Sequence, residues 1–426
     1  MSPIAVFVRS VRPAALACAV SAVAAPAVAG GGSIRALPCG DNGERWLRAV
    51  TPDGSVCAGN DATSAFRWTD AGGFEALGPG FSLGELGISD DGNTVVGYRR
   101  DEVLQRWEAY RWTAAGGMQS LGAWPSDRIG EFSYYATGVT GDGAIVIGAG
   151  DGHPSTWYLN VVAFRWTEST GMVALGSLND PDFVELNSAA AAVTPDGSTI
   201  VGGCSGIVNG IWRWSNAVRW DAAGNAQALQ ADPSWTSSGA AAVSADGSFA
   251  AGEATLGNGI IHAIRWDSAG NALDLGAPAG AQNTHAYGIS GDGSVVVGGC
   301  LMSNAEFAAF VWTPSTGINT LTDFLVANGI DTSGWDSLEW AYAISRNGRV
   351  IVGLGSYQGC NTSFIVDLGT ACPADLDGNG AVTGFDLGLL LSQWGAPGSG
   401  DLDGSGAVGG ADLGLLLSAW GPCSGG

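Results

Sequence analysis

The chain predicts an all-β fold, a seven-bladed β-propeller of four-stranded blades, and three observations lead there. A thirteen-residue phrase (a small residue, V/I-S/T, a D-G turn and a V-x-G strand) recurs seven times. Its turns fall at Asp53-Gly54, Asp91-Gly92, Asp142-Gly143, Asp196-Gly197, Asp246-Gly247, Asp292-Gly293 and, altered, Asn347-Gly348, so successive turns lie 38, 51, 54, 50, 46 and 55 residues apart. Each interval matches the length of one propeller blade. Composition agrees: 69 glycines and only 13% charged residues describe short strands joined by turns.

Within one unit the strands can be read in order. In the fourth, Ala192-Val193-Thr194 ends a strand, Pro195-Asp196-Gly197-Ser198 turns, and Thr199-Ile200-Val201-Gly202 returns, a hairpin signal. After a variable loop, Asn216-Ala217-Val218-Arg219-Trp220 forms a third strand and Ala226-Gln227-Ala228-Leu229 a fourth. The third strand recurs as Ala65-Phe66-Arg67-Trp68, Ala109-Tyr110-Arg111-Trp112, Ala163-Phe164-Arg165-Trp166, Ala263-Ile264-Arg265-Trp266 and Ala309-Phe310-Val311-Trp312. Alternation puts the aromatic pair on one face and the arginine on the other.

The seventh unit reaches its third strand at Ser363-Phe364-Ile365-Val366-Asp367 and then stops, one strand short. Residues Gly31-Gly32-Ser33-Ile34-Arg35-Ala36-Leu37 read like Gly72-Gly73-Phe74-Glu75-Ala76-Leu77, the fourth strand of unit one. The amino-terminal strand is therefore expected to complete blade seven and leave no open edge. That register brings Cys39 to Cys360 and predicts a disulfide there, with Cys39–Cys57 as the alternative. Cys204 and Cys300 are placed after the second strands of non-neighbouring blades and are not paired.

In its A-F-R-W-T and V-x-G phrases, the chain over residues 45 to 367 resembles the bacterial extracellular HAF repeat family, whose name-giving tripeptide survives closest as His262-Ala263-Ile264. The resemblance implies an exported repeat protein without an established activity. Unit seven departs from it in having no Arg-Trp pair.

Residues 1–29 have the layout of a cleaved secretory signal: Arg9 and Arg12, an apolar stretch from Ala14 to Ala25, then Ala27-Val28-Ala29. No other segment is long and apolar enough to span a membrane. An exported, soluble protein is the expectation, which permits disulfides among Cys39, Cys57, Cys204, Cys300, Cys360, Cys372 and Cys423. With net charge −23, the chain repels phosphate backbones and nucleic acid is not an expected partner. All 17 basic residues are arginine, which excludes P-loop, Schiff-base and pyridoxal chemistry that depends on lysine.

The propeller is assigned to residues 30–370, and residues 371–426 to a second motif used twice. Asp375-Leu376-Asp377-Gly378-Asn379-Gly380 leads to Asp386, and Asp401-Leu402-Asp403-Gly404-Ser405-Gly406 leads to Asp412. Oxygen ligands at loop positions 1, 3, 5 and 12, with the carbonyls of Ala381 and Ala407 at position 7, are what calcium requires. The candidate ligands are Asp375, Asp377, Asn379, Ala381 and Asp386 in the first loop, and Asp401, Asp403, Ser405, Ala407 and Asp412 in the second. Apolar residues at helical spacing follow: Leu387, Leu390, Leu391 and Trp394, then Leu413, Leu416, Leu417 and Trp420.

This duplication, with its 26-residue spacing, resembles type I dockerins. The resemblance implies a small α-helical domain with two calcium loops that docks to a cohesin-like or cell-surface partner. Ser405 at position 5 implies weaker calcium in the second loop, and Gly384-Phe385 and Gly410-Ala411 at the helix starts imply a partner other than a standard cohesin. Cys372 and Cys423 bracket the module, and a disulfide is expected to close it.

Signs of catalysis are sparse. Gly80-Phe81-Ser82-Leu83-Gly84 lacks a strand-to-helix context, and His153, His262 and His285 fall in different units without a zinc or triad pattern. Turn aspartates and strand arginines recur too regularly to be a site. Aromatics outside the repeat frame are the binding candidates: Trp124, Tyr134, Tyr135, Trp157, Tyr158, Trp212, Trp214, Trp235, Trp335 and Trp340. Two classes follow: a non-catalytic binding and display protein with a glycan ligand at the propeller loops, which is favoured, or a polysaccharide-degrading hydrolase or lyase using acids such as Asp127, Glu131, Asp180, Asp182 and Glu185.

Overall fold

A computed structural model describes every residue except 1–31, 40–44, 62–63, 80–85, 102–105, 125–132, 152–160, 179–182, 209–210, 230–231, 370–373, 377–380, 404 and 423–426. The signal segment, Cys372, Cys423, Asp377, Asn379, the G-x-S-x-G phrase, His153, Trp157, Tyr158 and the acids Asp127, Glu131, Asp180 and Asp182 lie outside the described residues. Seven antiparallel four-stranded sheets form the propeller. Blades one to six run in sequence from Trp46–Val50, Gly87–Ile88, Tyr134–Val139, Phe183–Val193, Ser237–Val243 and Ala281–Ile289, the innermost strand of each.

Blade seven takes Trp335–Ile344, Val350–Tyr357 and Cys360–Asp367 from the end of the ring and Ser33–Ala36 from its beginning. The register is Ser33 with Asp367 through Ala36 with Phe364, and the Cys39–Cys360 disulfide sits just beyond it, joining residues 321 apart in sequence. Blade one is sewn to the same strand: the Leu47 amide donates to Ser363 Oγ at 2.8 Å, and the Ser363 hydroxyl donates to the Arg45 carbonyl at 2.7 Å. Leu37, Leu47, Phe66 and Trp68 then pack with Val350, Val352 and Ile365 across the joint. The free side of Cys360–Asp367 is thereby paired, and blade one packs against blade seven.

The recurring phrase builds the inner rim. In each of the six Asp turns a Ser or Thr hydroxyl donates to the turn carboxylate two residues on, as Thr140 does to Asp142 at 2.6 Å, and the same carboxylate accepts the amide two residues further, here Ala144 at 2.9 Å. The glycine is demanded twice over. Gly293 has φ +73°, and a Cβ there would lie 2.3 Å from Phe249 of the preceding blade.

Turns are also tied to one another. The residue before each Asp donates its amide to the carbonyl of the equivalent residue one blade on: Asp90 to Gly141, Gly141 to Pro195, Ala245 to Gly291 and Gly291 to Arg346, with Asn347 donating to Pro52 at the closing joint. Pro52 and Pro195 accept but have no N–H to give. At those two joints an arginine side chain reaches the next turn instead: Arg67 donates to the Gly92 carbonyl at 3.0 Å and Arg219 to that of Gly247 at 2.7 Å. The strand arginines thus serve contact between blades, and the tryptophans beside them, Trp68 through Trp312, are buried.

Two sequence expectations need correction, and one helix was not anticipated. Cys204 and Cys300 lie inside the second strands, not after them, because those strands run Thr199–Val208 and Val296–Met302. The third strand of blade four starts at Ile211, so the expected variable loop is mostly ladder. A helix at Leu321–Ala327, capped by Thr320, links blades six and seven and buries Leu321 and Leu325. Its Thr-x-x-Asp start is a capping signal that the β-repeat frame obscured. After the ring come helices Gly384–Ser392 and Gly410–Ser418.

Replacing both Cys39 and Cys360 by serine lowers stability by about 2–5 kcal/mol, measured by chemical denaturation; an unchanged midpoint would show that strand pairing alone holds the joint. The rim also predicts acid sensitivity. The Ser89 hydroxyl, with the Asn93 amide and side chain, holds the Asp91 carboxyl below the usual carboxylate range, and the Thr140 hydroxyl with the Ala144 amide does so for Asp142. A depressed folded-state value means stability present above the unfolded value of about 3.9 and lost as pH falls through the folded one. Asp142→Asn should fold and shed part of that acid dependence in thermal melts, since Asn347 already fills this role with an amide, accepting from Ser345 Oγ at 2.6 Å.

Candidate functional site

The inner strands of six blades carry a β-bulge at one equivalent position, where the register skips Arg48, Thr137, Ala191, Ala241, Tyr287 and Tyr342. A bulge re-aims the extra residue, and here all six line one cavity of about 360 Å³ at the centre of the ring, with Leu86 supplying the seventh position from blade two and Trp340 adding a wall. The repeat therefore contributes one side chain per blade to the bore.

These seven positions are unequal. Blades three to five offer Thr137, Ala191 and Ala241, which leave room, whereas blades six, seven and one offer Tyr287, Tyr342 and Arg48. The Arg48 guanidinium lies 3.8 Å from the Tyr342 ring centroid and 5.8 Å from that of Trp46. Tyr287 meets Tyr342 at 5.8 Å and Trp340 at 6.0 Å, and Phe307 backs Trp340 at 4.6 Å. His285 stacks on Tyr287, and its Nδ1 lies 2.5 Å from Glu253 Oε2. Burial first, then the Glu253 charge, pushes the Tyr287 hydroxyl well above its ordinary pKa, so it remains a protonated donor at neutral pH.

Of the aromatics singled out from the sequence, Trp340 reaches this cavity. Trp124 and Tyr134 are buried in the core of blade three, and Trp235 and Trp335 pack partly buried against the cores of blades five and seven. Trp124 and Tyr134 are corrected from binding to structural residues, because irregular position in the repeat did not mean exposure. Tyr135 is half-buried, edge-on to Tyr98 at 4.8 Å. Trp212, Trp214 and Glu185 fall on the strands of blade four. Arg48, Tyr287 and Tyr342 were missed, although a signal was present: the column just before the small residue of the phrase reads Arg, Leu, Thr, Ala, Ala, Tyr, Tyr while its neighbours repeat.

The carboxy-terminal loops form a second site. Carboxylate oxygens of Asp401, Asp403 and Asp412 all lie within 4.8 Å of one another, a possible acidic metal-binding cluster. The loop is held open by its own backbone: Asp412 Oδ1 accepts the Leu402 and Asp403 amides at 2.8 and 2.9 Å, and Oδ2 accepts Gly409 at 2.6 Å. Those amides, Asp403 foremost, hold the Asp412 carboxyl below its usual range. Gly406, at φ +96°, donates to Asp401 at 2.7 Å. The Ser405 hydroxyl donates to the Ala407 carbonyl at 3.2 Å.

In the first loop Asp386 is buried and anchors in the same way, accepting Leu376 and Thr383 amides at 2.7 Å. Asp375 and Ala381 stand at the equivalents of Asp401 and Ala407. Val382 pairs with Gly421, and Val408 accepts from Gly395 at 2.9 Å, so each loop is tied to the segment after the other helix. Of the expected apolar stripes, Leu390 and Leu416 are buried, whereas Leu391, Trp394, Leu417 and Trp420 are about half exposed and Phe385 is 79% exposed.

No family model and no curated protein matches this chain. Among solved structures it is similar to an oligogalacturonate lyase from Vibrio parahaemolyticus, with TM-score 0.51 and 14% identity over 80% of this chain and 98% of that one. It is also similar to the Cps50 β-propeller domain of Myceliophteria thermophila, with TM-score 0.47 and 10% identity over 79% and 100% of the two chains. TolB from Acinetobacter baumannii gives TM-score 0.40 and 13% identity over 66% and 64%. At such identities the first likeness shows the propeller fold alone.

The wall of the bore can be tested directly. A Cβ on Gly299 would lie 2.1 Å from Trp340 Cε3, so Gly299→Ala must displace the indole. It should cost about 1–3 kcal/mol and alter near-ultraviolet circular dichroism; an unchanged spectrum would mean that Trp340 is not held where it is described.

Proposed function

We propose that the chain is an exported, non-catalytic binding and display protein. The propeller presents a glycan-binding surface, and the duplicated loops of a dockerin-like domain bind two calcium ions and dock the protein to a cohesin-like or cell-surface partner. One observation carries the docking half of this reading: the Asp401, Asp403 and Asp412 carboxylates converge within 4.8 Å of one another in a loop whose sixth residue, Gly406, takes a positive φ. The ligands would be Asp375, Asp377, Asn379, Ala381 and Asp386 in one loop and Asp401, Asp403, Ser405, Ala407 and Asp412 in the other. Phe385, Leu391, Trp394, Leu417 and Trp420 offer an apolar surface on the helices that follow. The Cys39–Cys360 disulfide supports maturation in an oxidising compartment.

A second reading, a polysaccharide-degrading hydrolase or lyase, draws on the His285–Glu253 pair behind Tyr287, an imidazole and a carboxylate in proton-transfer contact, and on the fold shared with a protein described as an oligogalacturonate lyase. Release of reducing or unsaturated sugar from an acidic polysaccharide, lost in His285→Ala, would establish it in place of the binding role.

Calorimetric titration of the mature chain should show two calcium ions bound, the second loop more weakly, with Asp401→Ala removing one of them and Asp375→Ala the other. Capture of a surface or secretome partner on the immobilised chain should disappear with chelator and in the double variant. Chelator-resistant capture, or stoichiometric calcium binding that survives both substitutions, would overturn the docking assignment.

A further inference from the structure

Arg48 is set apart from the strand arginines of the ring by its place on the wall of the central cavity. Its equivalents on blades three, four and five are Thr137, Ala191 and Ala241, so neither the bulge nor the packing of blades requires a cation there. Among the described residues it joins no ion pair, although the chain carries 40 acidic residues. Its described contacts are the faces of Tyr342 and Trp46, and its Nε, like that of several strand arginines, is buried without a hydrogen-bond partner. A guanidinium stacked on a ring keeps its in-plane N–H groups free, and a half-buried cation left without an anion is unfavourable by itself.

We propose that the bore binds a carboxylate-bearing sugar ring, a uronic acid unit of an acidic glycan, with Arg48 as its carboxylate clamp. This rests on the binding role given to the propeller above. The fork of Arg48 matches a planar carboxylate in two parallel hydrogen bonds. Tyr287, Tyr342 and Trp340 supply faces against which the apolar side of a sugar ring lies, and the Tyr287 hydroxyl supplies a donor to its oxygens. The small residues on the opposite wall leave the width, and about 360 Å³ is within the range of small-ligand pockets. A phosphate dianion suits the bore less well: the guanidinium of Arg48 would face two charges, and a phosphate has no ring to stack.

The test is calorimetry on the mature chain with a uronic acid trisaccharide and with the same trisaccharide methyl-esterified at its carboxyls. The acid should bind about tenfold or more tightly than the ester. Arg48→Gln should reduce the acid to the ester's affinity and leave the ester unchanged, with Arg48→Lys in between. Ala241→Phe, which fills the bore from the far wall, should abolish binding of both. Equal affinity for acid and ester, full affinity in Arg48→Gln, or unimpaired binding in Ala241→Phe would overturn the site. If Arg48→Gln fails to fold, as read by its near-ultraviolet spectrum, the ester comparison and Ala241→Phe still decide the matter. Absence of sugar binding alongside intact calcium-dependent docking would remove this site and leave the display role; loss of docking with sugar binding intact would do the reverse.

Discussion

Everything in the ring depends on one pairing, the strand Ser33–Ala36 against Cys360–Asp367. Six blades could each form four strands from contiguous sequence, but a seventh with three strands would leave a row of unpaired backbone groups, and blade one would face no neighbour. Closure converts every blade into one with two flanking blades, so that cores such as the one joining Leu47 and Trp68 to Val352 and Ile365 can form. It also fixes the bore, because a cavity lined by one residue from each blade exists only when all seven blades stand around it.

The closure was legible because it follows from counting: unit seven lacks a strand, and the matching pattern sits at the other end of the chain. The D-G turns were legible for the same reason, since Asp, Gly and the preceding Ser or Thr have one joint role in a tight turn. The bore was not read, although it was written in the sequence. Arg48, Tyr287 and Tyr342 sit inside the repeating phrase, and a repeat invites attention to what is constant. Only the bulge, a feature of backbone register, reveals that this column faces inward. The irregular aromatics misled for the opposite reason: Trp124 and Tyr134 fall outside the phrase, yet they are part of a buried core.

The carboxy-terminal loops show the limit of a motif. Spacing alone placed the acids Asp401, Asp403 and Asp412 together, and they are together. The same spacing did not tell which apolar residues would be covered. Leu390 and Leu416 turn to the shared core of the two loops, while Trp394 and Trp420, one turn on, remain half exposed. A helical stripe wider than its core leaves a surface for something else.

The two prolines at the inner rim make the ring mechanically uneven. Backbone bonds run from blade two through four and from blade five through seven to one, dividing the seven blades into an arc of three and an arc of four. At the two joints between the arcs the rim bond comes from Arg67 and Arg219, side chains that a single substitution can remove, while the cores shared by blades one and two and by blades four and five hold the faces together. A circle drawn from the repeat as seven equal joints is thus, along its rim, an arc of three blades and an arc of four, joined at two places by side chains in place of backbone.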